Sequence, residues 1–444
     1  MTAFARALSD AENLWDAALL AINHHDSLSD TTPRDRGGES YERWRELALS
    51  VRDHFRGRED PGLGEDDRVW IHATTAEGTD DVALYALAWG IDLEGWAHFP
   101  LCWKATLKLD ENMQCQLTPG DVYPVSDGDL ELPPDVVYVS RPSARRILSR
   151  GELPHVRVHA ASPIAPEVVF DFSFEHELVG VCADLASLVT VHPNVDDTEL
   201  HIPAGPEIFP IAVVDSETQL RRVEEGVTAA AMHGPAIICV PELAALESMV
   251  DELQRFLDEA YEYEDLLVVA GSFHCTRGGE RLNLAEALVP TCSRRLTHRK
   301  LVRFTDELSS VPASCEGIDE GRKLVIYAGG TFRLAILICK DFLEPRLAAL
   351  VANLGVNVLC VPAMSPKTGD FPSRVSTFVT DTQGFALVAN GPLNWDKETI
   401  VPAAVFGQPF ESRRCTFWPI EGVELPSVVV LERGADLPAA AVLT

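Results

Sequence analysis

The chain runs to 444 residues, with 37 basic against 68 acidic side chains and a formal net charge of -31. That length is roughly three times a common domain of about 150 residues, so two or three domains with full cores are expected. A chain this acidic repels phosphate backbones, and its densest basic run, Arg294-Arg295 with His298-Arg299-Lys300, lies in an apolar context, which excludes nucleic-acid binding. With 46% hydrophobic and 24% charged residues the chain is not disordered. Its opening, Met1 to Arg6, lacks a basic region leading into an apolar stretch. The most apolar window, Leu347 to Met364, is interrupted by Asn353, Gly355 and Asn357, so no membrane span is expected. Ten scattered cysteines, several inside apolar runs, read as free thiols of a cytoplasmic protein. Neither a CxxC pair nor an HExxH run occurs, so no metal is expected.

The first 60 residues predict two helices. Ala11, Leu14, Trp15, Ala18, Leu19 and Ile22 make one apolar face, and Tyr41, Trp44, Ala48, Val51 and Phe55 make the other. Thr31-Thr32-Pro33 and Gly37-Gly38 break the chain between them. His24-His25-Asp26 at the end of the first helix reads as solvent-exposed rather than as a metal site. Val69 to His72 reads as a strand and Asp81 to Trp89 as a helix. Short strands follow at Val136 to Val139, Val156 to Val158 and Val168 to Phe170. Residues 1–205 thus form a mixed α/β region, helical over 1–56, without a Gly-rich phosphate loop.

From Pro206 strand and helix alternate. Strands are expected at Phe209 to Val214, Ala236 to Val240, Leu266 to Ala270, Leu334 to Ile338 and Val356 to Val361. Helices are expected at Glu217 to Met232, Leu246 to Leu257 and Pro345 to Leu354. The last 50 residues, with Phe417 and Val428 to Val430, read as strands and loops. Strands apolar throughout predict a sheet covered by helices.

Three residues stand out against this pattern. Glu242 follows the buried run Ile237 to Val240, and Pro241 turns the chain out of the sheet. Lys300 lies in Thr297-His298-Arg299-Lys300-Leu301. Cys339 ends an apolar strand and precedes a helix. Ligands of open α/β sheets bind at the carboxyl ends of strands. A cysteine at a helix start beside a lysine is expected to favour the thiolate.

These residues carry a resemblance. Val240-Pro241-Glu242-Leu243, His298 to Phe304 and Leu337-Ile338-Cys339-Lys340-Asp341-Phe342 with Pro345 look like the nitrilase (carbon–nitrogen hydrolase) superfamily over residues 206–444. Val269 to Ser272 before Asn283, Val358 to Pro362, and Ala386 to Asn390 agree with it. The resemblance implies a four-layer αββα sandwich, association as a homodimer or larger homo-oligomer, and hydrolysis of a non-peptide carbon–nitrogen bond, a linear amide first, without metal or cofactor. It also implies a second glutamate soon after the lysine. Glu307, seven residues past Lys300, fits that placement best, and Glu316, 23 residues before Cys339, is the rival.

On this reading Cys339 is the nucleophile and Glu242 takes its proton and later activates water. Lys300 stabilises the oxyanion with the backbone N–H of Lys340, and the second glutamate orients Lys300 or the substrate nitrogen. Position 340 is usually aromatic or acidic in the family, and a lysine there is a candidate contact for an anionic substrate. Cys239, Cys315 and Cys360 read as structural. A rival reading from another class is a metabolite-sensing protein whose region 1–205 recruits a protein partner. The Glu–Lys–Cys set argues for the enzyme, since a sensor needs no nucleophile.

Overall fold

The computed structural model describes residues 2–29, 31–58, 60–97, 103–104, 106–125, 153, 156–159, 166–259, 263–305, 314–330, 332–366, 369–395, 399–400, 403–409, 415–417, 426–432 and 441–443. Two mixed sheets dominate. The larger has eight described strands in the order Gln114–Gln116, Glu167–Asp171, Lys323–Gly329, Phe332–Ile336, Val358–Ala363, Phe385–Asn390, Ala404–Gly407 and Cys415–Phe417. The other has seven, in the order Leu296–Arg299, Glu280–Leu288, Leu266–Arg277, Ala236–Cys239, Ser187–His192, Ser427–Glu432 and Ala441–Leu443.

Alternation along the strands explains why the sheets stack. On Ala236–Cys239, Ile237 and Cys239 join the core between the sheets, whereas Ala236 and Ile238 join a second core beneath the helices Ser216–Ala231 and Glu247–Asp258. Leu267 and Val269 on the neighbouring strand face inward, and Leu266 and Val268 face the helices. With both faces covered, these strands read as continuous apolar runs, as parallel strands do. Helices Pro345–Asn353 and Asp370–Thr382 cover the outer face of the larger sheet, whereas Glu175–Ala183 packs on its inner side, against Gly329. The result is an αββα sandwich.

The N-terminal residues form a helical unit in which Leu14–Leu28 and Gly38–Phe55 both pack on Asp81–Ala97. Its core holds Trp15, Ile22, Val51, Phe55, Leu84 and Ile91. Gly90 allows the close helix crossing, because a Cβ there would meet the Val51 side chain at 2.5 Å.

Several expectations are corrected. Val69 to His72 is helical, inside Glu65–Thr74, because Asp67 caps the turn by accepting the Gly64 N–H at 2.9 Å and is held by Arg58. His25 is buried, not exposed. It packs on Tyr85 with ring centroids 4.9 Å apart, and it bonds Asp26. No group of three or more metal-ligating side chains is found among the described residues. The apolar run Phe209 to Val214 pairs only over Ala212–Val213, since Pro210 has no N–H to donate to a ladder. A domain start at 206 would cut through the sandwich. Glu167–Asp171 lies parallel to Lys323–Gly329, and Ser187–His192 lies parallel to Ala236–Cys239, so both sheets draw on residues before 206. Val136 to Val139 lies outside the described residues. No helix among the described residues is long and apolar enough to cross a membrane.

Candidate active site

The site lies where buried strands end. Beyond Ala236–Cys239 the Val240 N–H still donates to Val269 O at 2.9 Å; Pro241, lacking an N–H, then ends the ladder. The Glu242 N–H crosses to Ala363 O of the other sheet at 3.3 Å. The next residue, Leu243, has φ 58° and donates its N–H to Ser272 Oγ at 3.1 Å. Gly271, at φ +78°, makes room for this turn, because a Cβ there would come within 2.4 Å of Pro241 O. Lys300 follows the strand Leu296–Arg299, and its N–H donates to Asn283 O at 3.0 Å.

Cys339 sits between the strand Phe332–Ile336 and the short helix Lys340–Leu343, with φ 46° and ψ -97°. A non-glycine residue at positive φ costs on the order of 1–3 kcal/mol and persists only where its surroundings hold it. Here the Cys339 N–H is tied to Pro362 O at 2.9 Å. Asp341 secures the far side of the turn. Its Oδ2 accepts from the Ile338 N–H at 3.1 Å and bonds His298 Nε2 at 2.9 Å. Its Oδ1 accepts from the Leu301 and Val302 N–H groups at 2.9 and 2.8 Å.

The side chains converge in the buried interior. Lys300 Nζ donates to Glu242 Oε1 at 2.6 Å and to Glu316 Oε2 at 2.7 Å. Asn283 Nδ2 bridges the same two carboxylates, at 2.9 Å to Glu242 and 2.7 Å to Glu316. Glu316 also accepts from His274 Nε2 at 3.1 Å and from the Phe304 N–H at 3.0 Å. Lys300 is 1% exposed, Glu242 3%, Glu316 4% and Cys339 5%. Glu316, the rival second glutamate, is in contact with Lys300; Glu307 lies outside the described residues. Lys340 is half-buried at the first position of its helix, where the N–H has no intrahelical acceptor.

The two carboxylates differ in their electrostatics. Burial raises the Glu242 pKa above its ordinary value, and the Glu316 charge adds to this, against the pull of Lys300. Burial also works against the Glu316 carboxylate, but Lys300, His274 and the Phe304 N–H outweigh it and hold that pKa far below the usual range. For Lys300 the burial penalty is overcome by both glutamates, so it stays an ammonium. The thiol differs from the sequence expectation. Burial, then the Glu242 charge, push the Cys339 pKa well above its ordinary value, and Lys300 opposes them only in part. A four-residue helix adds little dipole to offset this, so the surroundings favour the thiol over the thiolate. Glu242 is in side-chain contact with Cys339. Cys239 and Cys360 are also buried with raised pKa values, and among the described residues no carboxylate–ammonium pair lies beside them.

Three residues of this arrangement carried no role in the sequence: Asn283, His274 and Asp341. Only Asn283 and Asp341 fell inside recognisable runs, and nothing local marked His274.

Fold and site together define an αββα sandwich with a buried cysteine–lysine–diglutamate cluster at its strand ends. No protein-family model and no curated protein matches the chain. Solved structures do. An amidase from Nesterenkonia sp. is 14% identical over 56% of this chain and 90% of its own, with a TM-score of 0.41. Saccharomyces cerevisiae Nit3, a member of branch 10 of the nitrilase superfamily, is 14% identical over 56% and 90%, with a TM-score of 0.40. A mutant of the Nesterenkonia amidase, with the acetamide moiety of fluoroacetamide added covalently at its active-site cysteine, is 14% identical over 56% and 90%, with a TM-score of 0.41.

Proposed function

We propose that the protein hydrolyses a non-peptide carbon–nitrogen bond of a small molecule, a linear amide first, through a thioester on Cys339. The observation that carries this reading is the joint burial of Glu242, Lys300 and Glu316 in one hydrogen-bonded network beside a cysteine held at a positive-φ turn. An amide carbonyl is a weak electrophile, so the sulfur must lose its proton as it attacks. Glu242 accepts that proton while the S–C bond forms and the carbonyl π pair moves onto oxygen. The Lys300 ammonium and the Lys340 N–H face the developing oxyanion. Collapse expels the amine, which takes the proton from Glu242. Glu242 then deprotonates water, which attacks the thioester. Sulfur leaves, recovers its proton from Glu242, and the acid departs. Glu316 keeps its charge throughout and fixes Lys300 in place.

The test is a screen of amides and carbamoyl compounds for ammonia release, with Cys339→Ala as the blank. Release by the wild type and none by the variant is expected. In parallel, iodoacetamide should label Cys339 faster than the other cysteines at neutral pH. Labelling no faster than the rest would overturn the reading in favour of a binding protein.

A further inference from the structure

Glu316 does not stand alone on its short strand. His274, from the central strand Leu266–Arg277, reaches it with Nε2 at 3.1 Å, and the other ring nitrogen, Nδ1, accepts the backbone N–H of Ile211 at 2.9 Å. A backbone N–H can only donate, so Nδ1 carries no proton and the ring proton sits on Nε2, directed at Glu316. The His274 side chain is wholly buried, and the Phe209 ring lies over it with centroids 4.9 Å apart. The segment that supplies both Phe209 and Ile211 also pairs with the strand bearing the glutamate, Glu207 and Ile208 running parallel to Cys315 and Glu316. One stretch of chain therefore fixes the backbone of Glu316, the tautomer of the histidine and the plane of its ring.

We infer that His274 is a positioning residue which, through the tautomer set by Ile211, keeps Glu316 aimed at Lys300 and so leaves Glu242 as the proton acceptor for Cys339. This rests on the hydrolase reading above. The cluster holds two carboxylates against one ammonium, and the excess negative charge must be settled by neutral donors. Asn283 serves both glutamates equally, one N–H to each. His274 and the Phe304 N–H serve Glu316 alone. Without the histidine donor, Glu316 loses its share of Lys300, the ammonium turns wholly to Glu242, and that carboxylate becomes a poorer base for the thiol.

Two substitutions separate the roles of the two ring nitrogens. Asparagine places its polar atoms at the Nδ1 level, near Ile211, and cannot reach Glu316. Glutamine places an N–H at the Nε2 level. The readout is the rate of Cys339 alkylation by iodoacetamide at neutral pH, followed by peptide mass spectrometry, with thermal unfolding of each variant measured alongside. His274→Asn should slow alkylation of Cys339 about tenfold or more, the scale of losing a hydrogen bond to a charged group. His274→Gln should restore most of the rate. On any amide the screen identifies, the loss in His274→Asn should fall on kcat with KM little changed, because Lys300 acts on the oxyanion. A wild-type rate in His274→Asn, or an equal fall in both variants, would overturn the inference while the hydrolase reading stands. Unselective labelling in the wild type would overturn the hydrolase reading itself.

Discussion

Glu242 and Glu316 share the same ammonium and the same asparagine, yet one accepts two hydrogen bonds from nitrogen donors and the other four. Environments that push two carboxylates apart suit them to different roles, and on the proposed reading the more acidic one holds geometry while the other moves protons. The pH profile follows in sign. Glu242 must be ionised to take the thiol proton, and its pKa lies above the ordinary 4.5, so kcat/KM should fall as pH drops through a midpoint above that value. On the alkaline side the Cys339 and Lys300 pKa values both lie well above their ordinary 9.0 and 10.5. The profile should therefore stay flat through pH 9, as measured by kcat/KM or by the alkylation rate. A thiolate enzyme would instead lose its acid limb to far lower pH. At this scale the sequence supplied Glu242 and Cys339 because each closes an apolar run, and Lys300, which sits in a basic run, only through its place in the order of the motifs. It did not decide between Glu307 and Glu316, since distance along a loop says nothing about which carboxylate folds back onto Lys300. His274 was invisible for a related reason. Its partners, Ile211 and Glu316, lie 63 and 42 positions away.

At the scale of elements, the site depends on two turns being held at a fixed separation, the one after Leu296–Arg299 and the one at Cys339. Asp341 bridges them, accepting three backbone N–H groups and bonding His298 from one wholly buried carboxylate. Asp341→Asn replaces one oxygen by an NH2 group that faces donors, leaving buried N–H groups without an acceptor. Each such loss costs about 1–3 kcal/mol, so urea unfolding should show a loss of about 2–4 kcal/mol. Activity should fall further than stability explains, because Lys300 and Cys339 lose their common anchor. An unchanged midpoint would mean that the strands alone set the separation. The strands themselves were legible wherever both faces are buried, as at Ala236–Cys239. Val69 to His72 was misread because its β-branched and aromatic residues were weighed without Asp67, whose cap on the Gly64 N–H commits the segment to a helix.

Across the whole molecule, the helical unit and the sandwich keep separate cores, and among the described residues a short strand reaches both. Along Val122–Pro124, Val122 packs with the helical core, while Tyr123 and the following Val125 enter the core of the sandwich. This alternation explains why residue 206 is not where the sandwich starts. Its strands at Gln114–Gln116, Glu167–Asp171 and Ser187–His192 are short and far apart in sequence, so no periodic signal joins them before the sheets form. The join is closed by Arg333, a buried cation without a carboxylate partner among the described residues. It donates to Leu354 O at 2.9 Å and to Pro124 O, and its guanidinium lies 4.8 Å from the Trp103 ring and 5.3 Å from Phe170. Burial lowers its pKa to about 10, so it is charged at neutral pH and bears that cost for the geometry it gives. Lysine keeps the charge but cannot fork between two carbonyls. Arg333→Lys should thus lower the denaturant midpoint by about 2 kcal/mol in equivalent stability, the scale of one or two lost charged hydrogen bonds. Arg333 touches none of the cluster residues, so ammonia release and Cys339 alkylation should keep their wild-type rates below the unfolding transition. A fall in those rates in the still-folded variant would show that the join between the cores reaches the nucleophile along the strand Phe332–Ile336.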